Sequence, residues 1–337
     1  MVRDEPSALL GMRLTGISKD ERQVTMDLSS LFLSSGDVIA DRRFGWARDR
    51  EAKGDLPGAA DLLEQVLELT PGYASAWFAL GGIREKLGDR VGAIAAFHKA
   101  RKADPDDRHG ALLNLVRLGA ADATAVPSAY VRTLFDHYAC AFDRALMEGL
   151  GYQAPGLLSA AVQAACRAAG RPAHFGAMLD LGCGTGLAGA AFRSKVDHLT
   201  GVDLSPRMIE AARAKNLYDR FAVDDMLQFL AAEQGAGQAY DLVIAADVFV
   251  YVPDLGPVAA AVARVLAPGG LFAFTAETHS GEGVVLGEAL RFAHGAVHVR
   301  GAIDHAGLNL LGLDLAATRT EKRKPVPGLV AVAARTA

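Results

Sequence analysis

Apolar positions in the second half of the chain gather into short runs, and two of them end at a carboxylate. Met178–Leu181 reads as an apolar strand that carries Asp180 and then meets glycines at alternate positions, Gly182, Gly184 and Gly186. The next run, Leu199–Val202, ends at Asp203. A strand, a glycine turn and a helix with free N–H groups at its start form the unit with which doubly wound α/β folds bind nucleotide-like ligands. Without a Cβ, glycine allows a tight turn and a close approach to the backbone. Near the C-terminus, Leu308–Lys322 and Gly328–Arg335 read as two strands joined by a polar turn containing Pro325, Pro327 and Gly328. Earlier in the chain the period lengthens: Phe135, Tyr138, Ala139 and Phe142 fall on one face of a helix.

Before that helix the chain repeats itself. A 34-residue unit runs from 40 to 73 and again from 74 to 107, so that Gly54-Asp55 recurs as Gly88-Asp89, Gly58-Ala59 as Gly92-Ala93 and Pro71 as Pro105. The spacing resembles the tetratricopeptide repeat, a helix–turn–helix unit. In the second copy Trp77, Leu80, Gly81, Ala93, Phe97, Ala100 and Pro105 stand at that family's signature positions. The first copy is looser, with Trp46 shifted and Ala59, Val66 and Pro71 in place. Small residues let the paired helices approach, and the prolines stop the second helix of each unit. Leu112–Leu118 reads as a capping helix. Two repeats fall short of the three usually needed for a stable stack, so this part is expected to lean on the rest of the chain or on a second subunit. The predicted organisation is an irregular segment over 1–35, an all-α repeat domain over 36–120 and a second domain over 128–337. Helices within 128–170 form a lid on that second domain, and GAADATAVPSA joins the two.

The stretch LDLGCGTG followed by GVDLS resembles the first two motifs of the class I S-adenosylmethionine-dependent methyltransferases. FAVDDM at Phe221–Met226, YDLVIAADVFVYV at Tyr240–Val252 and LAPGGLFAFT at Leu266–Thr275 resemble the following three, in order. The resemblance spans about Tyr130 to Arg335. FDHYACAFD, at Phe135–Asp143, also resembles the helix that folds over the cofactor in a bacterial group of methyltransferases bearing tetratricopeptide repeats.

The resemblance implies a Rossmann-like α/β fold, a parallel sheet closed by a C-terminal antiparallel hairpin, with S-adenosyl-L-methionine as cofactor. It implies that Asp180 and the backbone through Gly182, Cys183 and Gly184 hold the methionine part, the Cys183 thiol being a small filler. Asp203 would take both ribose hydroxyls, since a carboxylate's two oxygens can accept both at once. Leu204 would pack on the adenine. Asp225 would accept from the adenine amino group with Met226 beside the ring; Asp224 competes for that place, and either is also a candidate helix N-cap. Ala246 and Asp247 would close the site near the sulfonium. Tyr138 would touch the cofactor from a lid packed by Phe135 and Phe142.

A second pattern overlaps the first. Gly184-Thr185-Gly186-Leu187-Ala188-Gly189 fits the dinucleotide fingerprint G-x-G-x-x-G, with Asp203 as the ribose carboxylate. Asp180 speaks against a dinucleotide, because its charge would sit near a pyrophosphate, whereas it suits the ammonium of a methionine moiety. A dinucleotide dehydrogenase more often continues into a substrate domain, for which no residues remain.

Composition narrows the field further. With 51% hydrophobic and 22% charged residues the chain supports an ordinary packed core, and a net charge of −4 disfavours a nucleic-acid footprint. Cys140, Cys166 and Cys183 have no paired metal spacing and fit a reducing cytosol. No apolar run reaches membrane-spanning length, and the start of the sequence lacks a secretory signal. The expectation is a cytoplasmic protein without membrane or nucleic-acid partners. His294 and His298 are four residues apart, but no third ligand is evident, so no metal is expected.

Methyl transfer is an in-line displacement in which the enzyme chiefly positions the acceptor and excludes water. An oxygen or nitrogen acceptor also calls for a general base. His279, beyond the fifth strand, is the first choice, followed by Glu277 and His294, with Arg291 and His294 on a predicted helix walling the acceptor site. His137, in the lid, is a weaker candidate. The leading reading is methylation of a small-molecule acceptor on oxygen or nitrogen, with the repeats binding a protein partner or mediating self-association. The alternatives are a repeat-based adaptor whose second domain senses the cofactor and, last, an NAD(P)-dependent oxidoreductase.

Overall fold

The computed structural model describes residues 33–122, 125–321 and 323–336. The expected irregular segment 1–35 lies outside the described residues apart from its last three. The repeats form two helical hairpins: α1 (Val38–Ala52) with α2 (Leu56–Leu69), and α3 (Ala74–Lys86) with α4 (Arg90–Ala103). The repeated dipeptides do the same work in each. Gly54 and Gly88 turn the chain at φ +83°, and Asp55 and Asp89 cap α2 and α4 by accepting from the Gly58 and Gly92 N–H groups at 3.0 and 2.8 Å. Both prolines follow helix ends, as their missing N–H requires. Helix α5 (Ala111–Arg117) covers the second hairpin through Ala111 and Leu115. Its Leu113 instead joins Tyr130, Leu134 and Phe292, so the short stack closes against the second half of the chain. Arg117 pairs with Glu85 at 2.6 Å and reaches Glu288 at 3.5 Å.

Helices α6 (Ser128–Tyr138), α7 (Phe142–Arg144) and α8 (Ala154–Ala168) lead into the sheet. The apolar stripe predicted to run through Phe142 is broken, because α6 ends at Tyr138; Phe135 and Phe142 still meet edge to face, ring centres 5.9 Å apart. Then strands and helices alternate: β1 (Phe175–Leu181), α9 (Leu187–Phe192), β2 (Val196–Asp203), α10 (Pro206–Ala214), β3 (Arg220–Val223), α11 (Met226–Gly235), β4 (Tyr240–Ala245), α12 (Gly256–Val265) and β5 (Leu266–Glu277). The chain continues through β6 (Val284–Leu286), β7 (Phe292–His294), α13 (Ala296–His305), β8 (Leu308–Glu321) and β9 (Lys324–Arg335). The first five strands run parallel in the order β3-β2-β1-β4-β5; β9 lies antiparallel to β5 and carries β8 on its other side. Helices cover both faces of β1, β4 and β5. These strands therefore read as continuous apolar runs rather than alternating ones, with Leu179, Phe272 and Val262 in one core and Met178, Leu242 and Leu158 in the other.

Three features of the C-terminal part differ from the sequence reading or add to it. Pro325 and Pro327 lie inside β9 and not in the turn. They are tolerated there because β9 pairs with β5 only from Gly328 onward, so no ladder donor is required of them on that side. Arg291 and His294 belong to the approach and the end of the short hairpin β6–β7, where a helix was expected. A register shift in β8 between Ala317 and Thr320 is the third. Side chains alternate along a regular strand, but a bulge re-aims them, and here the consecutive residues Thr318 and Arg319 are both buried. The Thr318 carbonyl accepts from the Gln153 N–H at 2.7 Å, and the Thr320 N–H donates to the Leu150 carbonyl at 2.7 Å. Among the described residues no helix is long and apolar enough to cross a membrane.

Candidate functional site

A cavity of about 320 Å³ lies at the carboxyl ends of β1, β2 and β4, beneath the lid segments around α6 and α7. Gly182, Cys183, Gly184, Asp203, Leu204, Asp225, Met226, Ala246 and Asp247 all line it. The arrangement places these residues together because in a parallel sheet every strand delivers its following loop to the same edge.

The floor is built around two carboxylates. Asp203 ends β2 and accepts from the Gly184 N–H at 2.9 Å through Oδ2 and from the Ser205 N–H at 2.8 Å through Oδ1. It therefore pins the glycine loop to the head of α10. Burial pushes its pKa up to about 6, against those two bonds, and the nearby Asp136 charge adds to the rise. Asp180 stands behind the loop, not on the cavity wall. Its Oδ2 accepts from the Tyr218 hydroxyl at 2.6 Å, while its Oδ1 is buried without a hydrogen-bond partner. Burial raises its pKa to about 7; the Tyr218 bond opposes the rise, and Asp203 reinforces it. An unpaired buried acceptor of this kind calls for a donor, preferably a cation. Cys183 is buried too, and burial pushes its thiol well up, which suits a filler and not a nucleophile.

Tyr218 is the residue of this floor that the sequence did not reveal. Its hydroxyl also accepts from the Gly189 N–H at 3.2 Å. A Cβ at Gly201 would come within 2.9 Å of the tyrosine ring, and one at Gly189 would fall on the hydroxyl itself. The last glycine of GTGLAG thus makes room for a tyrosine, which removes the reason to read it as a pyrophosphate contact. Tyr218→Phe keeps the ring but leaves Asp180 and the Gly189 N–H short of a partner. It should cost about 1–3 kcal/mol in denaturant unfolding, and an unchanged midpoint would contradict this account.

At the adjoining end, Asp225 caps α11, its Oδ1 accepting from Leu227 and Gln228 N–H at 2.9 and 3.3 Å. Asp224 accepts from the Asp225 N–H at 2.8 Å, and its own N–H donates to the Asp203 carbonyl. Both line the cavity. The cap role considered for Asp225 is therefore present alongside its place on the wall.

The opposite end holds a cluster of charges. Asp247 follows β4 at φ +61°, a region that costs a non-glycine residue of order 1 kcal/mol or more unless its surroundings impose it. Here its N–H donates to Thr275 Oγ1 at 2.8 Å, and its carboxylate accepts from Arg319 Nη1 at 2.5 Å and Thr318 Oγ1 at 3.4 Å. Arg319 also donates to Glu277 and, at 3.1 Å, to Glu321. Arg291 donates to Glu321 and lies 3.0 Å from Glu277. Arg291 and Arg319 both line the cavity, with Tyr152 and Tyr251.

The candidate bases are not brought to this wall. Glu277 is held between Arg319 and Arg291. His279 folds onto its own loop, accepting from the Gly281 N–H at 3.1 Å with its other nitrogen 3.3 Å from the Gly283 carbonyl. His294 is fully buried, with Nε2 3.0 Å from the Phe249 carbonyl and its ring stacked on His298. Burial pushes its pKa down to about 4. Tyr138 also lies off the wall: it packs beside Leu113, Tyr130 and Leu134, and the lid presents Phe135 and Phe142 instead. Although three residues apart on one helix face, the two rings diverge: Tyr138, the last residue of α6, packs with the repeat-side Leu113, while Phe135 meets Phe142 and Tyr251. His137 is exposed.

Two latches hold the lid down. Asp136 accepts from Ser205 Oγ at 2.6 Å. Asp143 accepts from Thr185 in the glycine loop and from Lys215 at 2.6 Å. Neither was legible from periodicity, since each joins residues about 70 or 40 apart.

This is the architecture of a class I methyltransferase fold, with the glycine loop at its first strand. A methyltransferase domain model matches residues 179–272, and a tetratricopeptide repeat model matches residues 51–115. The chain thus carries a methyltransferase domain behind tetratricopeptide repeats. It is 36% identical over 96 residues to the ubiquinone biosynthesis O-methyltransferase of Xylella fastidiosa (strain 9a5c), covering 28% of this chain and 38% of that protein. The protein of that name from Xanthomonas oryzae pv. oryzae (strain PXO99A) is 35% identical over 96 residues, covering 28% and 39%. The match spans under two-fifths of the length of these relatives. Among solved structures, the 1,6-didemethyltoxoflavin-N1-methyltransferase of Burkholderia thailandensis is similar with a TM-score of 0.47 and 22% identity, over 64% of this chain and 94% of that one.

Proposed function

We propose that the chain is an S-adenosylmethionine-dependent methyltransferase acting on oxygen or nitrogen of a small molecule. The observation that carries this reading is the cavity floor, where Asp203 pins the Gly182–Gly184 loop beside Leu204, Asp224, Asp225 and Met226. The charge of Asp180, buried behind that loop, favours the cofactor's ammonium over a pyrophosphate in front of it. When bound, the cofactor supplies an electrophilic methyl on a sulfonium. Asp180 and the Gly182–Gly184 backbone would hold its methionine part, Asp203 its ribose, and Asp224, Asp225, Leu204 and Met226 its adenine. The lid, latched by Asp136 and Asp143, would exclude water from the transfer.

At the acceptor end Asp247 takes the place first given to His279, because it is the carboxylate on the wall there. We assign residues 128–337 to the catalytic unit. The repeats over 36–120 are a docked helical unit whose Leu113 supports the lid, a role independent of any protein partner they bind. The test is calorimetric titration of the protein with S-adenosylhomocysteine and, separately, with NADH. Micromolar binding of the first alone is expected; binding of NADH alone would replace this reading with the oxidoreductase.

A further inference from the structure

Arg291 and Arg319 stand on the same stretch of cavity wall but are spent unequally. All three nitrogens of Arg319 donate to carboxylates: Nε to Glu321, Nη1 to Asp247 and Nη2 to Glu277. Among the described residues Arg291 donates only through Nη2, to Glu321, and its Nη1 has no acceptor. Its Nε lies 3.0 Å from Glu277, yet that nitrogen is buried without a hydrogen-bond partner. A guanidinium carries five N–H donors, and buried polar groups are normally matched. The Arg291 side chain is only 12% exposed, so bulk water reaches little of it.

What faces the cavity differs from what lies behind it. Asp247, Arg291 and Arg319 line it, whereas Glu277 and Glu321 do not. The Asp247 carboxylate already accepts from Arg319 and Thr318. This end of the wall therefore sets two guanidiniums against one engaged carboxylate, with unspent donors on Arg291. Glu277 and Glu321 behind it offset part of the positive charge, which suits a singly charged anion better than a phosphate carrying nearly two charges. The adjoining wall is aromatic: Phe135 meets Phe142 and Tyr251 edge to face, at 5.9 and 5.4 Å between ring centres. Burial pushes the Tyr251 phenol up to about 12, and Arg291 and Arg319 act against the rise. The ring that ends this aromatic wall thus lies within the field of the unspent guanidinium.

We infer that Arg291 holds a carboxylate of the methyl acceptor, and that the acceptor is an aromatic carboxylic acid. The inference rests on the methyltransferase reading above and names the substrate class of the same cavity. A carboxylate is a planar acceptor that matches guanidinium donors, and hydrogen bonds between ionised groups are roughly twice as strong as those between neutral ones. Burying that charge is costly unless such donors await it, and Arg291 has them. The ring of the acid packs against Phe135, Phe142 and Tyr251, where aromatic pairs add to the area buried. An arylalkylamine would instead bring an ammonium towards two guanidiniums, and like charges placed together are unfavourable.

Three probes of one shape test it: 3-(4-hydroxyphenyl)propionate, 4-ethylphenol and tyramine, titrated calorimetrically near neutral pH into the full chain saturated with S-adenosylhomocysteine. The propionate should bind at least about tenfold more tightly than 4-ethylphenol, and tyramine should bind most weakly. Arg291→Gln removes the charge and should bring the ratio of propionate to 4-ethylphenol affinity close to unity. Arg291→Lys keeps the charge but not the planar fork and should lower that ratio several-fold. S-adenosylhomocysteine affinity, measured first, checks that each variant is folded; if the glutamine variant fails this check, the lysine variant decides. A propionate affinity equal to or below that of 4-ethylphenol overturns the inference. So does an unchanged ratio in either variant that still binds S-adenosylhomocysteine, or the failure of all three probes to bind. Failure of the unaltered protein to bind S-adenosylhomocysteine is a different result: it removes the methyltransferase reading itself, and the acceptor assignment with it.

Discussion

Arg319→Met should destabilise the protein by about 3–5 kcal/mol, the cost typical of removing one partner from a buried ionic network. The substitution keeps much of the side chain's length and apolar stem, so the loss is electrostatic. Asp247, Glu277 and Glu321 would be left facing one another with Arg291 alone to offset them. Glu321 is 35% exposed, and its share of the penalty is reduced by solvent; the other two are nearly enclosed. Arg319→Lys should recover only part of the loss, because one ammonium cannot address three carboxylates in the directions a guanidinium does. Urea unfolding followed by circular dichroism measures both. A loss below about 1 kcal/mol for the methionine variant, a value typical of exposed ion pairs, would mean that the cluster is not the enclosed network described above.

Asp203→Ala should weaken S-adenosylhomocysteine binding by about 1–3 kcal/mol, roughly five- to 150-fold. Two effects combine. The ribose hydroxyls lose their acceptor, and the Gly184 and Ser205 N–H groups lose the carboxylate that holds the loop open to the cofactor. A folded variant with unchanged affinity would sink the assignment.

The same carboxylate makes a prediction about pH. In the ligand-free protein Asp203 and Asp180 titrate at about 6 and about 7, raised from 3.8. Between 3.8 and those values the native state holds protons that the unfolded chain has released. Linkage then makes the stability of the free protein fall as pH rises through that window. Cofactor binding has the opposite slope, since ammonium and ribose hydroxyls call for ionised carboxylates. Thermal unfolding of the free protein should therefore move to higher temperature between pH 7 and about 5, while S-adenosylhomocysteine affinity declines. Parallel trends in the two measurements would contradict the placement of the two carboxylates in the binding floor.

The contrast between Asp203 and Arg319 also separates what was legible in the chain from what was not. Asp180, the glycines and Asp203 lie within 24 residues, and their relation is set by strand, turn and helix. Apolar runs and glycine spacing therefore suffice to bring them to one edge of a sheet. The repeats are legible for the same reason: Gly54-Asp55 and Gly88-Asp89 each turn and cap a helix with local bonds. The acceptor end has no such local signature. Arg319 reaches Asp247 across 72 residues, and it does so because of a bulge in a strand whose sequence reads as a plain hairpin arm. His279 and Glu277 were placed correctly at the carboxyl end of β5, but position along a strand does not say which way a side chain is held, and the arginines claim Glu277.

By itself, then, the sequence determined the alternation of strands and helices, the repeat unit, and the glycine loop with its flanking carboxylates, because each rests on bonds between near neighbours in the chain. The tertiary structure alone decided that Tyr218 fills the last glycine of the loop, that Phe135 and not Tyr138 faces the cavity, and that two arginines and three carboxylates meet at its far end. Those outcomes depend on which distant segments are packed together, and on the low-dielectric interior that forces their charges to find one another.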